Sequence, residues 1–183
     1  MDKFTLKKEN AIILIVDVQE KLATVMTEKE QVISRCQILI EAAKLFAMPV
    51  IVTEQYPKGL GPTVSEITEV LQSYRPVEKI TFDCCAEPAF SGRVETEGRR
   101  QIILTGMETH ICVLQTCLGL LRQDYNVHVV KDAVCSRTKQ NFKTGIEMMR
   151  DAGAVITSTE IVLFQLLEKA GTDEFRTLSK LVK

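Results

Sequence analysis

A cysteine lies in an unusual turn between a predicted strand and a predicted helix. Residues 105–113 read TGMETHICV, which places Cys112 in the first turn of the helix. Unpaired backbone N–H groups and the positive end of the helix dipole favour a thiolate at such a position. Two interpretations are open: Cys112 is a nucleophile, or it is a small buried apolar residue, as most intracellular cysteines are.

A carboxylate follows the most apolar strand of the chain. Residues 11–16 read AIILIV, and Asp17 comes directly after them. Asp17 could cap a helix, which aspartate does readily. In the common doubly wound strand order, however, strands one and four are neighbours at the switch point, so Asp17 and Cys112 would lie on opposite sides of one crevice. A carboxylate beside a thiol can act first as a general base and then as a general acid.

The elements that must position these residues alternate along the chain. Residues 11–16 are apolar at every position, which predicts a strand buried on both faces, as in a parallel sheet. Segments 49–53, 101–105, 127–130 and 154–157 repeat the pattern, and 79–82 predicts a weaker strand near an edge. Apolar residues at three- and four-residue steps predict helices over about 28–47, from about 111, and over 142–152 up to Gly153. This alternation predicts an α/β fold with a doubly wound sheet, in one domain spanning residues 1–183.

Composition and charge restrict the partners. The 23 basic and 24 acidic side chains give a net charge of −1, which leaves no basic excess for nucleic acid. The longest apolar run is far shorter than the roughly 20 residues that cross a bilayer, so we expect no membrane partner. No secretory signal is visible, and the six cysteines contain no C-x-x-C pair. We therefore expect reduced thiols in a cytoplasmic protein.

Three motifs in order resemble the isochorismatase-like, or cysteine hydrolase, family, which includes nicotinamidases. They are DVQ at residues 17–19, Lys79 shortly before Phe82, and GMETHICV at residues 106–113. Residues 53–63, TEQYPKGLGPT, look like a branch of this family whose members mostly lack assigned substrates. The resemblance runs from about residue 11 to 167. It implies a three-layer α/β/α fold with a Rossmann-like, six-stranded parallel sheet, and a catalytic triad of Asp17, Lys79 and Cys112.

The resemblance also implies a mechanism. Cys112 attacks a carbonyl while Asp17 takes the thiol proton; Asp17 then protonates the leaving amine and activates water against the thioester. Lys79 supports the charged states of its neighbours. A cis peptide bond in the family corresponds to Met107–Glu108, and N–H groups near Glu108 and Cys112 would stabilise the oxyanion. We expect the helix end and Lys79 to hold the pKa of Cys112 below the roughly 8.5 of a free thiol.

Two departures from the family pattern bear on the substrate. Nicotinamidases carry Asp and His metal ligands after the second strand, where this chain reads EQY at residues 54–56. We therefore expect no metal, no cofactor and a small-molecule amide other than nicotinamide as the substrate. Asp83 follows Phe82, where relatives often have a small residue such as serine. We expect this added carboxylate to compete for Lys79.

The remaining candidates line the pocket or support it. Gln19, Tyr56, Phe82 and His110 are predicted pocket residues, and for His110 a purely hydrogen-bonded role is an equal alternative. We expect the cysteines other than Cys112 to serve packing. We also expect Asp132 and Arg137 to pair with each other and hold the turn after the fifth strand. The list of pocket residues thus contains one acid–base group, and the rest supply shape.

Other functions are open beside hydrolysis of an amide. Isochorismatase itself cleaves a vinyl ether, a reaction that needs no thiol nucleophile, so the presence of Cys112 argues against it. A non-catalytic relative would instead work through association with other proteins. We also expect a homo-oligomer, from the resemblance and from the apolar residues of the last two helices. These residues are Ile161, Val162, Leu163, Phe164, Leu166, Leu167, Phe175, Leu178 and Leu181.

Overall fold

Strands and helices alternate in the computed structural model, which describes residues 3–182. The strands are β1 (Ala11–Val16), β2 (Val50–Gln55), β3 (Val77–Lys79), β4 (Gln101–Met107), β5 (Asn126–Cys135) and β6 (Val155–Thr157). The helices are α1 (Glu20–Ala23), α2 (Lys29–Leu45), α3 (Pro57–Leu60), α4 (Ser65–Thr68), α5 (Pro88–Thr96), α6 (Leu114–Arg122), α7 (Lys139–Asp151), α8 (Thr159–Leu167) and α9 (Asp173–Leu178). A 3-10 turn at Cys84–Ala86 precedes α5, and a π-helical turn at Thr109–Val113 precedes α6. The ends of the predicted domain, residues 1, 2 and 183, lie outside the described residues.

The sheet has the predicted doubly wound topology. Within residues 3–182 it contains six strands in the order β3-β2-β1-β4-β5-β6, and every neighbouring pair is parallel. The chain builds outward from β1 to β3 and then crosses to the other side for β4. The topological switch point therefore lies between β1 and β4, where open α/β sheets bind ligands. Asp17 and the turn with Cys112 follow these two strands.

Strand β1 is buried at every position because helices cover both faces of the sheet. Ile13 and Ile15 belong to an apolar cluster that includes residues of α2 and α8. Ile12 and Leu14 belong to a second cluster, with residues of α5, α6 and α7. Full burial of one such side chain stabilises the fold by about 1.5–3 kcal/mol. The two clusters hold the carboxyl end of β1 in place and confirm the predicted three-layer fold.

Strand β4 approaches β1 closely at Gly106, which pairs with Val16. The backbone of Gly106 has φ +119°, and a Cβ atom there would lie 2.0 Å from the carbonyl oxygen of Val16. Only glycine combines this dihedral angle with this approach. The contact brings the residue after β1 next to the turn after β4.

Several predicted strands have other limits in the structure. Strands β2 and β4 each end two residues later than predicted, at Gln55 and Met107. The strand predicted over residues 79–82 covers Val77–Lys79 and lies at the sheet edge. It ends there because Ile80 and Thr81 donate their N–H groups to the carboxylate of Glu87, at 3.2 and 3.4 Å, and not to a strand. Strand β5 is longer than the predicted 127–130 and continues to Cys135. The carboxyl ends of both strands carry residues of the candidate site.

Most apolar residues of α8 and α9 pack inside the chain. Val162, Leu163, Leu166, Leu167 and Leu178 are buried, in clusters shared with α2. Ile161, Phe164 and Leu181 are 51%, 45% and 40% exposed. The apolar content of these helices is therefore largely explained within one chain, and it does not by itself require a second copy. Among residues 3–182, none of the helices has the length and apolar character needed to cross a membrane.

Candidate active site

The centre of the candidate site is a buried ion pair. Lys79 Nζ lies 2.7 Å from Asp17 Oδ2, and both side chains have no exposed surface. Asp17 has φ +53° directly after β1, a conformation that Asp tolerates better than most residues. Lys79 ends β3, so its long side chain spans the end of β2 to reach Asp17. Burial alone would lower the pKa of Lys79, but the charge of Asp17 and its hydrogen bond contribute to a net rise.

The end of β2 orients both charges of the pair. Thr53 Oγ1 donates to Asp17 Oδ1 at 2.7 Å, and Lys79 Nζ donates to Gln55 Oε1 at 2.7 Å. Lys79 Nζ also donates to the carbonyl of Thr81 at 3.2 Å. Each Asp17 oxygen thus has a donor, and the three ammonium protons have three acceptors. Thr53 and Gln55 are not among the residues predicted for the site, although polar residues two apart at a strand end lie on the same face.

Cys112 lies in the π-helical turn that follows β4 and is 5% exposed. The carbonyl of Glu108 accepts the N–H groups of Ile111 and Val113, at 3.0 and 3.2 Å, on either side of Cys112. The peptide bond between Met107 and Glu108 is cis. Single π-helical turns at the start of an α-helix occur frequently at functional sites. The turn therefore presents Cys112 at the switch point, beside the buried pair.

Asp17 and Lys79 act on the Cys112 thiol in opposite directions. Burial makes the largest contribution and raises the pKa of Cys112, the charge of Asp17 raises it further, and Lys79 lowers it. The net shift is upward, so the prediction of a pKa below that of a free thiol was wrong. A raised pKa favours the protonated form of this thiol at neutral pH.

A second thiol lies next to the pair. Cys84 is fully buried, and its Sγ is 3.9 Å from Thr53 Oγ1. Burial raises the pKa of Cys84 to about 12, while Lys79 lowers it and Asp17 raises it. Cys84 also packs in the same apolar cluster as Cys112. The thiol predicted to serve packing alone is thus part of the surroundings of the site, and all six cysteines are free.

Gln19, a predicted pocket residue, forms hydrogen bonds with the end of β2 and the loop that follows it. Its side chain is fully buried. The amide nitrogen donates to the carbonyls of Gln55 and Gly61 at 3.0 and 2.6 Å, and the amide oxygen accepts the N–H of Gln55 at 2.8 Å. These bonds engage both ends of the amide. The arrangement supports a structural role, in which Gln19 holds the backbone beside the ion pair.

Tyr56 and Phe82 are the predicted aromatic residues of the pocket, and both are exposed. Tyr56 follows β2 and donates its N–H to the carbonyl of Lys79 at 2.8 Å. Phe82 lies in the segment after β3, next to the exposed Ile80. A cavity of about 380 Å³ at this place is lined by Tyr56, Lys79 and Ile80, among others. The structure thus places both aromatic residues in the segments beside Lys79.

His110 uses both ring nitrogens in hydrogen bonds. Its Nδ1 lies 3.0 Å from Ser136 Oγ, and its Nε2 lies 3.2 Å from Asn141 Nδ2. Because an amide NH2 group only donates, Nε2 is assigned as the acceptor, and Nδ1 carries the proton that is donated to Ser136. These contacts favour the hydrogen-bonded role for His110 over direct contact with substrate.

Arg137 pairs with Glu108, and the predicted pair of Asp132 with Arg137 was wrong. The Glu108 carboxylate accepts the N–H of Arg137 at 2.9 Å and its Nε at 3.1 and 3.2 Å. Asp132 lies within the long strand β5, at 3.3 Å from Arg35, and accepts the N–H of Thr159 at 2.8 Å. Because β5 continues past Asp132, the two residues do not share a turn.

Asp83 pairs with groups other than Lys79, so the prediction that it competes for Lys79 was wrong. It accepts the N–H of Cys85 at 2.8 Å and lies 3.1 Å from Arg122 Nη2 of α6. These two donors engage both of its carboxylate oxygens. The electrostatics of the buried pair are therefore set by Asp17, Lys79 and the neutral groups of β2.

The side chains at the carboxyl end of β2 do not fit a metal ion. Glu54 Oε1 accepts the N–H and the hydroxyl of Thr63, at 2.6 and 2.8 Å, and the hydroxyl of Tyr74. This carboxylate is engaged by donors of the protein itself. Over the described residues, no three side chains of His, Cys, Asp or Glu lie together as a metal site would require. The donor set gives no basis for a metal-dependent step here.

The fold and the site define the class of protein. It has a three-layer α/β/α fold in which a carboxylate, an ammonium group and a thiol meet at the switch point of a parallel sheet. The family model for the isochorismatase domain matches residues 11–161. The chain belongs to the isochorismatase family and has the fold of its hydrolases.

Relatives and solved structures resemble the chain over nearly its full length. The secreted isochorismatase effector Isc1 of Phytophthora sojae is 41% identical over 179 residues, which is 95% of this chain and 85% of the relative. The structure of MAR1 ribonuclease from Caenorhabditis elegans has a TM-score of 0.90 at 36% identity, covering 97% of this chain and 92% of that one. The YcaC gene product of Escherichia coli, described as an octameric hydrolase of unknown specificity, has a TM-score of 0.90 at 24% identity, covering 97% and 90%. At that identity the likeness to YcaC concerns the fold.

Proposed function

We propose that the protein is a metal-independent hydrolase of a small amide and that Cys112 is its nucleophile. The observation that carries the proposal is the fully buried Asp17–Lys79 pair beside this thiol. A protonated thiol is a weak nucleophile and needs a base within reach. Asp17 meets that need, because it follows the strand that pairs with β4 and its charge acts on Cys112.

The proposed reaction begins when Cys112 Sγ forms a bond to the amide carbonyl carbon. Asp17 takes the thiol proton in the same step. The carbonyl oxygen becomes an oxyanion, which N–H groups near Glu108 and Cys112 stabilise. When the C–N bond breaks, Asp17 gives its proton to the leaving nitrogen. This first half of the reaction yields an acyl thioester on Cys112 and a free amine.

The second half consumes water. Asp17 takes a proton from water, whose oxygen attacks the thioester carbon, and the C–S bond breaks to give the acid and the Cys112 thiol. Lys79 does not serve as the acid, because its pKa is raised. Its positive charge instead stays paired with the Asp17 carboxylate, 2.7 Å away. Thr53 and Gln55 hold the two charges in this orientation.

Two other functions remain as outcomes of the test. A vinyl-ether hydrolase would need no covalent bond to Cys112. The position of this thiol after β4, the strand that pairs with the one before Asp17, favours the amide. A non-catalytic relative would bind other proteins and would not form an acyl adduct either. The nuclease activity named for the nematode relative is not part of our proposal. With 23 basic and 24 acidic residues, the chain offers no excess of positive charge for nucleic acid.

The test is to trap the acyl-enzyme. We expect mass spectrometry of protein quenched during turnover of a panel of small amides to show Cys112 carrying the acyl group, with ammonia or amine released. Cys112→Ser should remove both signals. Cys85→Ser is the matched control, because Cys85 is the most exposed thiol of the chain. EDTA should leave turnover intact. Turnover that Cys112→Ser leaves unchanged, or that requires an added divalent metal, would refute the proposal.

We further propose a cytoplasmic homo-oligomer that acts on a small-molecule substrate, without a cofactor, nucleic acid or membrane partner. Six free thiols, five of them buried, suit a reducing compartment, although the Phytophthora relative is named as secreted. The octameric state named for YcaC supports an oligomer. Light scattering at micromolar concentration should give a mass well above the 20.6 kDa of one chain. A particle of one chain would overturn this part.

A further inference from the structure

We infer that Arg137 is a positioning residue for the oxyanion site and that it acts through the carboxylate of Glu108. The inference rests on the proposed function, since it concerns the step in which the oxyanion forms. Arg137 lies outside the motifs that identify the family and follows β5, a strand that contributes no member of the proposed triad. Its contacts nevertheless reach the residue before the cysteine turn.

Glu108 is fixed at both its main chain and its side chain. Its carbonyl accepts the N–H groups of Ile111 and Val113, at 3.0 and 3.2 Å, which enclose Cys112 in the sequence. Its side chain is 5% exposed, and both carboxylate oxygens lie within 3.2 Å of Arg137 Nε. The N–H of Arg137 adds a third bond, at 2.9 Å. Arg137 therefore ties the cysteine turn to the end of the neighbouring strand.

The ladder between β4 and β5 explains why these two residues meet. Met107 is paired with Cys135 at the carboxyl ends of the two strands. Glu108 follows the first of these residues, and Arg137 follows the second by two positions. Residues that leave adjacent parallel strands at the same level remain close to each other. Arg137 thus reaches Glu108 with both its main chain and its guanidinium group.

The charge of Glu108 is the reason that its partner matters for chemistry. The proposed oxyanion donors include N–H groups near Glu108, and an unpaired carboxylate on this residue would oppose the negative charge that develops there. The guanidinium group meets the carboxylate through charge-assisted hydrogen bonds, which fix its direction and offset its charge. Loss of Arg137 should therefore slow the step that forms the oxyanion more than any step that does not.

Two reactions of the same sulfur separate these effects. p-Nitrophenyl acetate acylates Cys112 through a tetrahedral oxyanion and releases p-nitrophenolate. Iodoacetamide alkylates Cys112 by displacement of iodide, without an oxyanion. We expect Arg137→Gln to slow the acylation burst at least tenfold and to change the alkylation rate less than twofold. Arg137→Lys should restore part of the acylation rate, because lysine keeps the positive charge but lacks the planar guanidinium group.

A double variant and a matched control complete the experiment. Glu108→Gln combined with Arg137→Gln removes both charges and should recover most of the acylation rate that Arg137→Gln alone loses. Arg122→Gln is the control, because Arg122 also lies 3.1 Å from a carboxylate, that of Asp83, and is similarly exposed. It should leave both rates unchanged. Thermal melting of each variant identifies any loss of fold.

The outcomes separate this inference from the proposed function. If the wild type shows no acylation beyond that of Cys112→Ser, the proposed function fails, and the inference fails with it. If the wild type is acylated and Arg137→Gln is acylated equally fast, only the inference is overturned. Equal slowing of acylation and alkylation would also overturn it, because Arg137 would then control access to the thiol and not the oxyanion.

Discussion

Removing one charge of the buried pair should cost the protein stability as well as activity. Asp17→Asn keeps the shape of the side chain and leaves the Lys79 ammonium group in a place with no exposed surface. Breaking a buried ion pair from one side costs about 3–5 kcal/mol. Lys79 retains two neutral acceptors, Gln55 Oε1 at 2.7 Å and the carbonyl of Thr81 at 3.2 Å. We therefore expect Asp17→Asn to lower the free energy of unfolding by about 3 kcal/mol, the lower limit of that range.

The opposite change should cost more. Lys79→Met leaves the Asp17 carboxylate buried, with the Thr53 hydroxyl as a neutral donor. We expect a loss of about 4–5 kcal/mol, because no cation replaces the ammonium group. The double variant Asp17→Asn/Lys79→Met buries no charge at this place. Its free energy of unfolding should be about 1–2 kcal/mol below that of the wild type, a decrease far smaller than the sum for the two single variants.

Urea unfolding at pH 7, followed by circular dichroism, measures these differences. Thermal unfolding should agree, since 1 kcal/mol corresponds to about 2–4 °C in a chain of this size; Asp17→Asn should therefore melt roughly 6–12 °C below the wild type. Asp83→Asn breaks the more exposed pair with Arg122 and should cost less than about 1 kcal/mol. Two results would contradict this coupling of the two charges. One is a free energy of unfolding for Asp17→Asn within about 1 kcal/mol of the wild-type value. The other is a double variant that is no more stable than the single variants.

Two further predictions concern single titrating groups. Burial lowers the pKa of His128 to about 4 from an ordinary value of 6.5, so the unfolded chain takes up a proton at a higher pH than the folded one. The free energy of unfolding should fall as the pH drops from 6.5 towards 4, by about 2 kcal/mol at pH 5. His128→Asn should flatten this part of a urea-unfolding profile. The second prediction is that Asp17→Asn speeds alkylation of Cys112 by iodoacetamide near neutral pH, because it removes the charge that raises the thiol pKa. Lys79→Ala should slow the same reaction, because it removes the charge that lowers this pKa. Peptide mapping measures the labelling, and slower labelling in Asp17→Asn would contradict the assigned geometry.

The sequence predicts the parts of the site that follow from strand ends. An all-apolar strand must be covered on both faces, and the carboxyl ends of parallel strands meet at one edge of a sheet. From these two rules Asp17 and Cys112 are expected on opposite sides of one crevice, and the structure makes the two strands that precede them, β1 and β4, neighbours in the sheet. The position of Lys79 came from the family resemblance, since one lysine cannot be told from many others by its local pattern.

The rest of the site depends on register, which a single sequence does not contain. Thr53 orients Asp17 because it is paired with Val16, the last residue of β1. Gln55 reaches Lys79 because the two residues are paired across β2 and β3. The pKa of Cys112 was predicted in the wrong direction for a related reason. The helix end is visible in the sequence, but the burial that outweighs it arises from tertiary packing.

The short strand β3 has a consequence for how the protein would lose its activity. Three residue pairs join β3 to β2 at the edge of the sheet, and the last of them holds Lys79. Edge segments open locally at a lower free energy than the centre of a fold. Detachment of β3 would take the ammonium group away from Asp17 while β1 and β4 stay paired over six residues. Heat should therefore inactivate the enzyme before it melts the sheet, and amide hydrogen exchange should be faster in β3 than in β1.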